Sequence, residues 1–231
     1  EGSTVRMVAD RGNLASDACS YMALMATPAW IEEFNASPVD ALTGVKISID
    51  PSNFEAFMFE KLLADYGLTL EDTVPQDISP PSLVSAVEND AVEIISIGEP
   101  WITRLLDTGL VSVWKPYQEI VPGMQFGVLL YGPSILERPD VGVRFMRAYL
   151  AAIHQYNEGK TDRNVEIMAA ATELDVDLLQ RACWPPMRED GMISTETIDE
   201  LQTWGLAKGL FDNIIPLESY WDPSFIEQAI P

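Results

Sequence analysis

Apolar and polar residues alternate in blocks that predict short strands separated by helices over residues 45–114. The strand candidates are short runs rich in β-branched apolar residues: Val45–Ile49, Thr73–Ile78, Val92–Ile97 and Val111–Trp114. Helical patterns lie between them, Phe54–Tyr66 and Pro80–Asn89. Alternating strands and helices require right-handed crossovers, so this part of the chain predicts one α/β lobe with a largely parallel sheet.

The run Val92–Ile97 ends abruptly at Gly98-Glu99-Pro100-Trp101. We interpret the run as a buried parallel strand, followed by a helix that Pro100 can open without losing a hydrogen bond. Open α/β sheets bind ligands at the carboxyl ends of their strands, so Glu99 and Trp101 are expected at the rim of a crevice. The alternative is a simple strand-to-helix turn, with Trp101 as a core residue.

A second candidate site lies where the predicted helix Phe54–Tyr66 begins. Either Ser52 or Asn53 is placed to cap it. The unpaired amides of a helix start attract anionic or hydrogen-bond-accepting groups. The alternative is that the cap only satisfies its own helix.

The two flanks of this lobe have different patterns. Val5–Ala9 reads as a strand closed by a loop over Asp10–Asp17, and Cys19–Ala26 and Gln125–Tyr131 are further extended runs. From Arg138 onward the apolar spacing predicts mostly helices: Arg138–Glu158, Thr161–Thr172, Asp175–Arg181, Ser194–Lys208 and Pro223–Ala229.

Composition narrows the function classes. The 231 residues are 47% apolar and 22% charged, which is typical of a globular protein, and the formal net charge is −22, spread over both halves. Without a basic stripe, nucleic acid and anionic membrane surfaces are poor partners. No run is long enough for a transmembrane helix, and residues 1–4 lead directly into a strand candidate without a signal-peptide pattern, although a processed secreted protein would look the same.

The residues that commonly carry chemistry are few. Cys19 and Cys183 match no metal-ligand spacing, and they could pair in an oxidising compartment. His154, the single histidine, lies in the middle of a helical pattern, where it is ordinarily a packing or surface residue. We therefore predict no metal, no cofactor and no catalytic residue.

Five segments in order resemble the substrate-binding proteins of ABC transporters, of the nitrate, sulfonate and taurine type with their thiamine-pyrimidine-precursor relatives. They are Asp40–Ile49, Ala86–Ile94, Glu99–Trp101, Glu137–Phe145 and Tyr220–Phe225. Asn89-Asp90 stands where the family usually has glycine. The opening strand–helix section of the family's first lobe has no counterpart, so the chain resembles the family with that section removed.

The resemblance implies an α/β, periplasmic-binding-protein-like (type II) two-lobed fold, with one complete α/β lobe and one partial, helix-rich lobe. It divides the chain into the end of the first lobe with a hinge strand (1–26), the second lobe (27–125), and a return hinge strand with C-terminal helices (126–231). The hinge strands are expected at Ser20–Ala26 and Phe126–Tyr131.

The resemblance also implies a function. The chain is expected to bind a small organic ligand in the cleft between its lobes by hinge closure, and to deliver it to an ABC permease. It is expected to be a non-enzymatic monomer that is periplasmic or extracellular, with a lipid anchor possible in the full-length precursor. The implied ligand residues are Tyr21 and Gln125 near the hinge, Ser52, Asn53 and Phe54 at the helix start, and Glu99 and Trp101 on the opposite wall.

Alternatives remain open at this stage. Helix amides favour a sulfonate, carboxylate or nitrate, whereas Glu99 beside Trp101, Tyr21 and Phe54 favours an amine or a nitrogen heterocycle, which we prefer. A second hypothesis is an enzyme on the same scaffold, like pyrimidine-precursor synthases or desulfinases, with Cys19 as the candidate nucleophile. A third is an interaction subunit whose missing section another chain supplies.

Overall fold

The computed structural model describes residues 5–15 and 19–230, which form two compact units. Of these residues, the helical unit comprises 5–15, 123–176 and 185–230, and the sheet unit comprises 19–122 and 177–184. Residues 1–4, on which the signal-peptide prediction rests, and residues 16–17 of the predicted loop Asp10–Asp17 lie outside the described residues.

The described residues form seven strands and thirteen α-helices. The strands are β1 Arg6–Asp10, β2 Met22–Ala26, β3 Lys46–Ser48, β4 Val74–Gln76, β5 Ile94–Gly98, β6 Ser112–Pro116 and β7 Val128–Tyr131. The helices are α1 Pro28–Ala36, α2 Pro38–Leu42, α3 Phe54–Ala64, α4 Leu83–Glu88, α5 Trp101–Thr108, α6 Tyr117–Ile120, α7 Pro133–Leu136, α8 Pro139–Asn157, α9 Asp162–Thr172, α10 Val176–Arg181, α11 Thr195–Ala207, α12 Leu217–Tyr220 and α13 Ser224–Glu227. Two 3₁₀ turns, Leu70–Asp72 and Pro80–Ser82, complete the set.

The sheet unit contains a five-stranded sheet in the order β4-β3-β5-β2-β6. Strands β3, β4 and β5 pair in parallel, whereas β2 pairs antiparallel with both β5 and β6. Four strands therefore run in one direction and β2 runs against them. The predicted parallel strand at Val92–Ile97 is confirmed as β5, and the largely parallel sheet predicted over residues 45–114 is confirmed in β3, β4, β5 and β6. The antiparallel strand β2, which precedes that range, is buried along its whole length.

The sheet unit is held together by apolar side chains between the sheet and its helices. One cluster joins β2 and β5 to α4 and α5 and includes Ala23, Met25, Leu83, Val87, Ile95, Ile102 and Leu105. On α3, six of the eleven residues are buried, because apolar positions surround more than one face of this helix. This packing fixes the first turns of α3 and α5 relative to the strands that precede them.

The helical unit is built on a two-stranded antiparallel sheet of β1 and β7. Its core consists of apolar residues from both strands and from α8, α11 and α13, including Val8, Ala9, Tyr131, Met146, Ile153, Ile198 and Phe225. At Gly142 on α8 the Phe225 ring packs so closely that an added Cβ would lie 2.5 Å from its Cε1. The predicted long helix Arg138–Glu158 is confirmed as α8. No helix in the described ranges is both long enough and apolar enough to cross a membrane.

Candidate functional site

The loops that follow the parallel strands meet at one edge of the sheet unit, which we call the carboxyl edge. Ser48 at the end of β3 lies opposite Gln76 of β4 and Ile95 of β5. Because β2 runs the other way, its first residue Met22 lies opposite Gly98, the last residue of β5. Ligands bind at this edge in open α/β sheets. Six of the seven residues predicted from the sequence lie there.

At the start of α3, Asn53 is the capping residue. Its side-chain oxygen accepts hydrogen bonds from the backbone amides of Glu55 at 3.0 Å and Ala56 at 3.3 Å. Exposed Ser52 does not cap the helix, because its amide and hydroxyl both donate to Asp50 Oδ1, at 2.8 and 2.7 Å. These bonds lower the pKa of Asp50. The first turn of α3 is therefore capped by the chain itself, and half-buried Phe54 opens it.

Glu55 is a candidate that the sequence reasoning missed. Its half-buried carboxyl lies in the first turn of α3, where Asn53 Nδ2 donates to Oε2 at 2.8 Å. Burial raises the pKa of Glu55, and the charge of Asp50 raises it further, against the lowering effect of the Asn53 hydrogen bond. An acid two residues after a capping Asn was the available signal, although such acids commonly serve only the helix dipole.

Behind this turn lies a buried pair of hydroxyl groups. Ser96 Oγ and the Tyr117 hydroxyl are 2.9 Å apart, and the Tyr117 side chain is fully buried. Burial raises the pKa of Tyr117, and the charge of Glu55 contributes to the same shift. Tyr117 is therefore a neutral, rigid support for the carboxyl edge.

The Glu99 carboxylate is held by donors from its own unit. Oε2 accepts from the amide of Thr103 at 3.1 Å, and Oε1 accepts from the Thr103 hydroxyl at 2.9 Å and the amide of Cys183 at 3.0 Å. The Glu99 amide donates to the carbonyl oxygen of Tyr21 at 2.9 Å. Glu99 thus ties the first turn of α5 to two distant segments, a role that its position in the sequence did not indicate.

Trp101 is the first residue of α5 and is half-buried, so it is not a fully buried core residue. The guanidinium carbon of Arg104 lies 4.9 Å from the centre of the indole ring. This cation–π contact orients the ring.

The two cysteines form a disulfide bond between Cys19 and Cys183. A sulfur atom in a disulfide is not a thiolate, so Cys19 is not available as the nucleophile of the enzyme hypothesis. His154 lies exposed on α8. Across residues 5–15 and 19–230, no three His, Cys, Asp or Glu side chains gather as metal ligands.

Gln125 belongs to the helical unit, whereas the carboxyl edge belongs to the sheet unit, and its side chain is 5% exposed. Its Nε2 lies within hydrogen-bond distance of Asp10 Oδ1 and of the carbonyl oxygens of Gly12 and Gly127, three acceptors that share its two hydrogens, and its Oε1 accepts from the amide of Ser194 at 2.8 Å. All polar atoms of this side chain are used inside the protein. The geometry therefore favours a structural role over the ligand contact that the resemblance implied.

Comparison with known proteins gives structural matches only. No protein-family model matches the chain, and no curated protein matches it in sequence. The ligand-binding component of an ABC-type import system from Staphylococcus aureus, solved with zinc bound, superposes with a TM-score of 0.76 at 18% identity, over 99% of this chain and 75% of that one. The periplasmic sulfonate-binding protein SsuA from Methylobacillus flagellatus KT gives 0.71 at 19% identity, over 98% and 69%.

An enzyme also has this architecture. The desulfurization enzyme DSZB superposes with a TM-score of 0.67 at 13% identity, over 99% of this chain and 79% of that one. At these identities the matches establish the fold. They confirm the predicted α/β, periplasmic-binding-protein-like fold class, and the chain spans about three quarters of the length of these proteins.

Proposed function

We propose that the chain is the solute-binding component of an ABC importer and that it binds a small organic ligand at the carboxyl edge of the sheet unit. The observation that carries the proposal is that half-buried Phe54 and Trp101 open the helices that follow β3 and β5, whose ends lie at this edge, on a fold shared with import-system binding proteins. The partners would be the ligand and the membrane permease. The proposal includes a monomeric protein in the periplasm or outside the cell, with a lipid anchor in a longer precursor.

We infer that the ligand carries an amine or a nitrogen heterocycle. The side chain of Asn53 already accepts from the Glu55 and Ala56 amides, which leaves little of the helix start for an anion. The carboxyl edge carries three acidic side chains, Asp50, Glu55 and Glu99. Within the described residues, none of the three forms an ion pair with a lysine or an arginine. The sulfonate of the SsuA neighbours would face these acids, whereas a flat cationic ring would be attracted to them and would stack on Trp101.

The ligand contacts that we propose are Tyr21, Ser52, Asn53, Phe54 and Trp101, with Glu55 and Glu99 supplying charge. We leave Gln125 out of the proposed set, because its amide is bonded within the helical unit and the Gln125→Ala replacement described below tests this choice. Closure of the lobes over the ligand is part of the same proposal. We expect the radius of gyration from small-angle X-ray scattering to fall when the ligand binds.

Native mass spectrometry of the purified protein tests the proposal first. We expect one bound small molecule, released on denaturation, with a mass that identifies a nitrogen base. Calorimetric titration with 4-aminopyrimidine, ethanesulfonate and nitrate then compares the ligand classes. The proposal is wrong if nothing is released and none of the three probes binds.

Variants locate the site. Trp101→Ala should weaken 4-aminopyrimidine about tenfold, or about 1.4 kcal/mol, because the stacking surface is lost. Phe211→Ala, a matched change of an exposed aromatic residue in the helical unit, should leave the affinity unchanged. Glu55→Gln should weaken 4-aminopyrimidine and strengthen ethanesulfonate. Equal affinities of the Glu55→Gln and parent proteins for both probes would remove Glu55 from the site.

An enzyme on this scaffold is the second candidate, since DSZB has the same fold. The disulfide of Cys19 leaves that candidate without its nucleophile in this structure. Covalent labelling of the purified protein with iodoacetamide tests it, because an alkylated Cys19 under non-reducing conditions would show a free thiol and restore the enzyme hypothesis.

A further inference from the structure

The segment 177–184 returns from far along the chain to join the sheet unit, and it contacts both ends of α5. We call this segment the strap. Helix α5 starts at Trp101, so whatever fixes this helix also fixes the aromatic wall of the proposed ligand site. The strap is separated from α5 by 74 residues at the Arg181–Asp107 contact, and besides its buried apolar side chains it makes specific hydrogen bonds to this helix and to Glu99.

At the amino end of α5 the strap closes a ring of bonds. The Cys183 amide donates to the Glu99 carboxylate at 3.0 Å, and the Glu99 amide donates to the Tyr21 carbonyl oxygen at 2.9 Å. The Tyr21 amide donates to the Cys19 carbonyl oxygen at 3.0 Å, and the disulfide returns from Cys19 to Cys183. The same carboxylate accepts both the amide and the hydroxyl of buried Thr103. Covalent closure of this ring limits how far Glu99 can move.

At the other end of α5 the strap binds the helix through a bidentate ion pair. Arg181 donates from both terminal nitrogens to the two carboxylate oxygens of Asp107, at 2.8 and 3.0 Å, and from Nε to Asp177 at 3.0 Å. The Arg181 guanidinium lowers the pKa of Asp107. Paired hydrogen bonds of this kind set an orientation as well as a distance. The strap therefore restrains both the position and the direction of α5.

We propose that the strap and its disulfide pre-position Trp101 for ligand binding, with Glu99 and Arg181 as positioning residues. This inference rests on the proposed function, and it assigns the disulfide a part in affinity in addition to stability. A binding wall that is already in place loses less freedom when the ligand arrives, so the affinity rises without a new contact. Removal of the disulfide should then free the first turn of α5 and weaken binding chiefly through Trp101.

Hydrogen exchange measured by mass spectrometry tests the hold on α5 without any ligand. In the Cys19→Ser/Cys183→Ser protein we expect the Thr103 amide to exchange at least tenfold faster than in the parent. Glu99→Ala should give the same increase, and Glu99→Gln, which keeps an acceptor oxygen, should restore part of the protection. Arg144→Ala, which breaks an exposed ion pair with Asp140 in the helical unit, is the matched control and should leave the Thr103 amide unchanged. Unchanged exchange in the disulfide-free protein overturns the proposal.

Affinity for 4-aminopyrimidine tests whether the strap acts through Trp101. Removal of the disulfide should weaken this probe about tenfold in the parent and should have a clearly smaller effect in the Trp101→Ala background, where only the displacement of the Glu99 charge remains. Equal losses in both backgrounds overturn the proposal, because a general loss of structure would weaken both. Should the disulfide-free protein fail to fold, Arg181→Ala replaces it in both measurements. If the Thr103 amide exchanges faster in the disulfide-free protein but neither this protein nor the parent binds 4-aminopyrimidine, the proposed function is wrong. In that case the restraint of α5 by the strap is still established.

Discussion

Replacement of Gln125 by Ala separates a structural role from a ligand-binding role, because the two make opposite predictions. The side chain serves four groups, Asp10, Gly12, Gly127 and Ser194. Gly127 still accepts from Arg11, and Gly12 and Asp10 also keep other donors, so only the Ser194 amide loses its sole partner.

The magnitude follows from these partners. A lost hydrogen bond to a carboxylate costs about 1.5–3 kcal/mol, and an amide left without an acceptor about 1–3 kcal/mol. We therefore expect Gln125→Ala to lower the free energy of unfolding of the helical unit by about 4 kcal/mol. For a protein of this size that corresponds to a fall in melting temperature of roughly 8–16 °C.

Scanning calorimetry with urea unfolding measures the effect. Gln228→Ala is the matched control, since exposed Gln228 donates only to Ser224 on its own helix, and it should cost less than about 0.5 kcal/mol. A loss below about 1 kcal/mol for Gln125→Ala would refute the structural reasoning. If that small loss came with weaker 4-aminopyrimidine binding, the ligand contact expected from the sequence resemblance would be correct.

Two further changes test the packing and the electrostatics. Gly142→Ala should destabilise the helical unit by about 1–3 kcal/mol in urea unfolding, because the new methyl group meets the Phe225 ring. The control Gly132→Ala should be nearly neutral, because nothing lies within 4 Å of the added methyl group. Equal effects of the two substitutions would contradict the close packing at Gly142. Glu55→Gln should stabilise the protein at pH 7, since a raised pKa in the folded state means that ionisation opposes folding. This gain in the free energy of unfolding should disappear as the pH falls below 4.5, the ordinary pKa of Glu. A gain that persists at pH 3 would contradict burial as its cause, and so would an equal gain from Glu158→Gln at an exposed position.

The local elements of the fold could be predicted because their signals are local. A run of β-branched residues sufficed for β5, and the spacing of apolar residues sufficed for α3 and α8. Short helices such as α2 and α12, with five and four residues, carry too few positions for a period and were missed. The antiparallel direction of β2 could not be predicted either, since the residue pattern of a buried strand is the same whether its neighbours run parallel or antiparallel to it.

The sequence indicated where the candidate residues stand relative to the strands, but not the hydrogen bonds that they make. The strand ends at Ser52–Phe54 and at Glu99 could be placed at one edge, because parallel strands end together. The hydrogen-bond partners of Glu99 and Gln125 could not be predicted, because they are distant in sequence. Cys183 lies 84 residues from Glu99, and Asp10 lies 115 residues from Gln125. A polar side chain looks the same in the sequence whether it faces a ligand or closes a contact within the protein.

The disulfide also sets an order of events during synthesis. Cys19 and Cys183 are separated by 164 positions, and a growing chain adds roughly 5–20 residues per second, so the second sulfur is made roughly 8–33 seconds after the first. All five strands of the sheet unit precede Cys183 in the chain. The sheet can therefore assemble before the disulfide closes, and the bond then joins Cys19 to a strap that follows the last strand of the sheet in the chain.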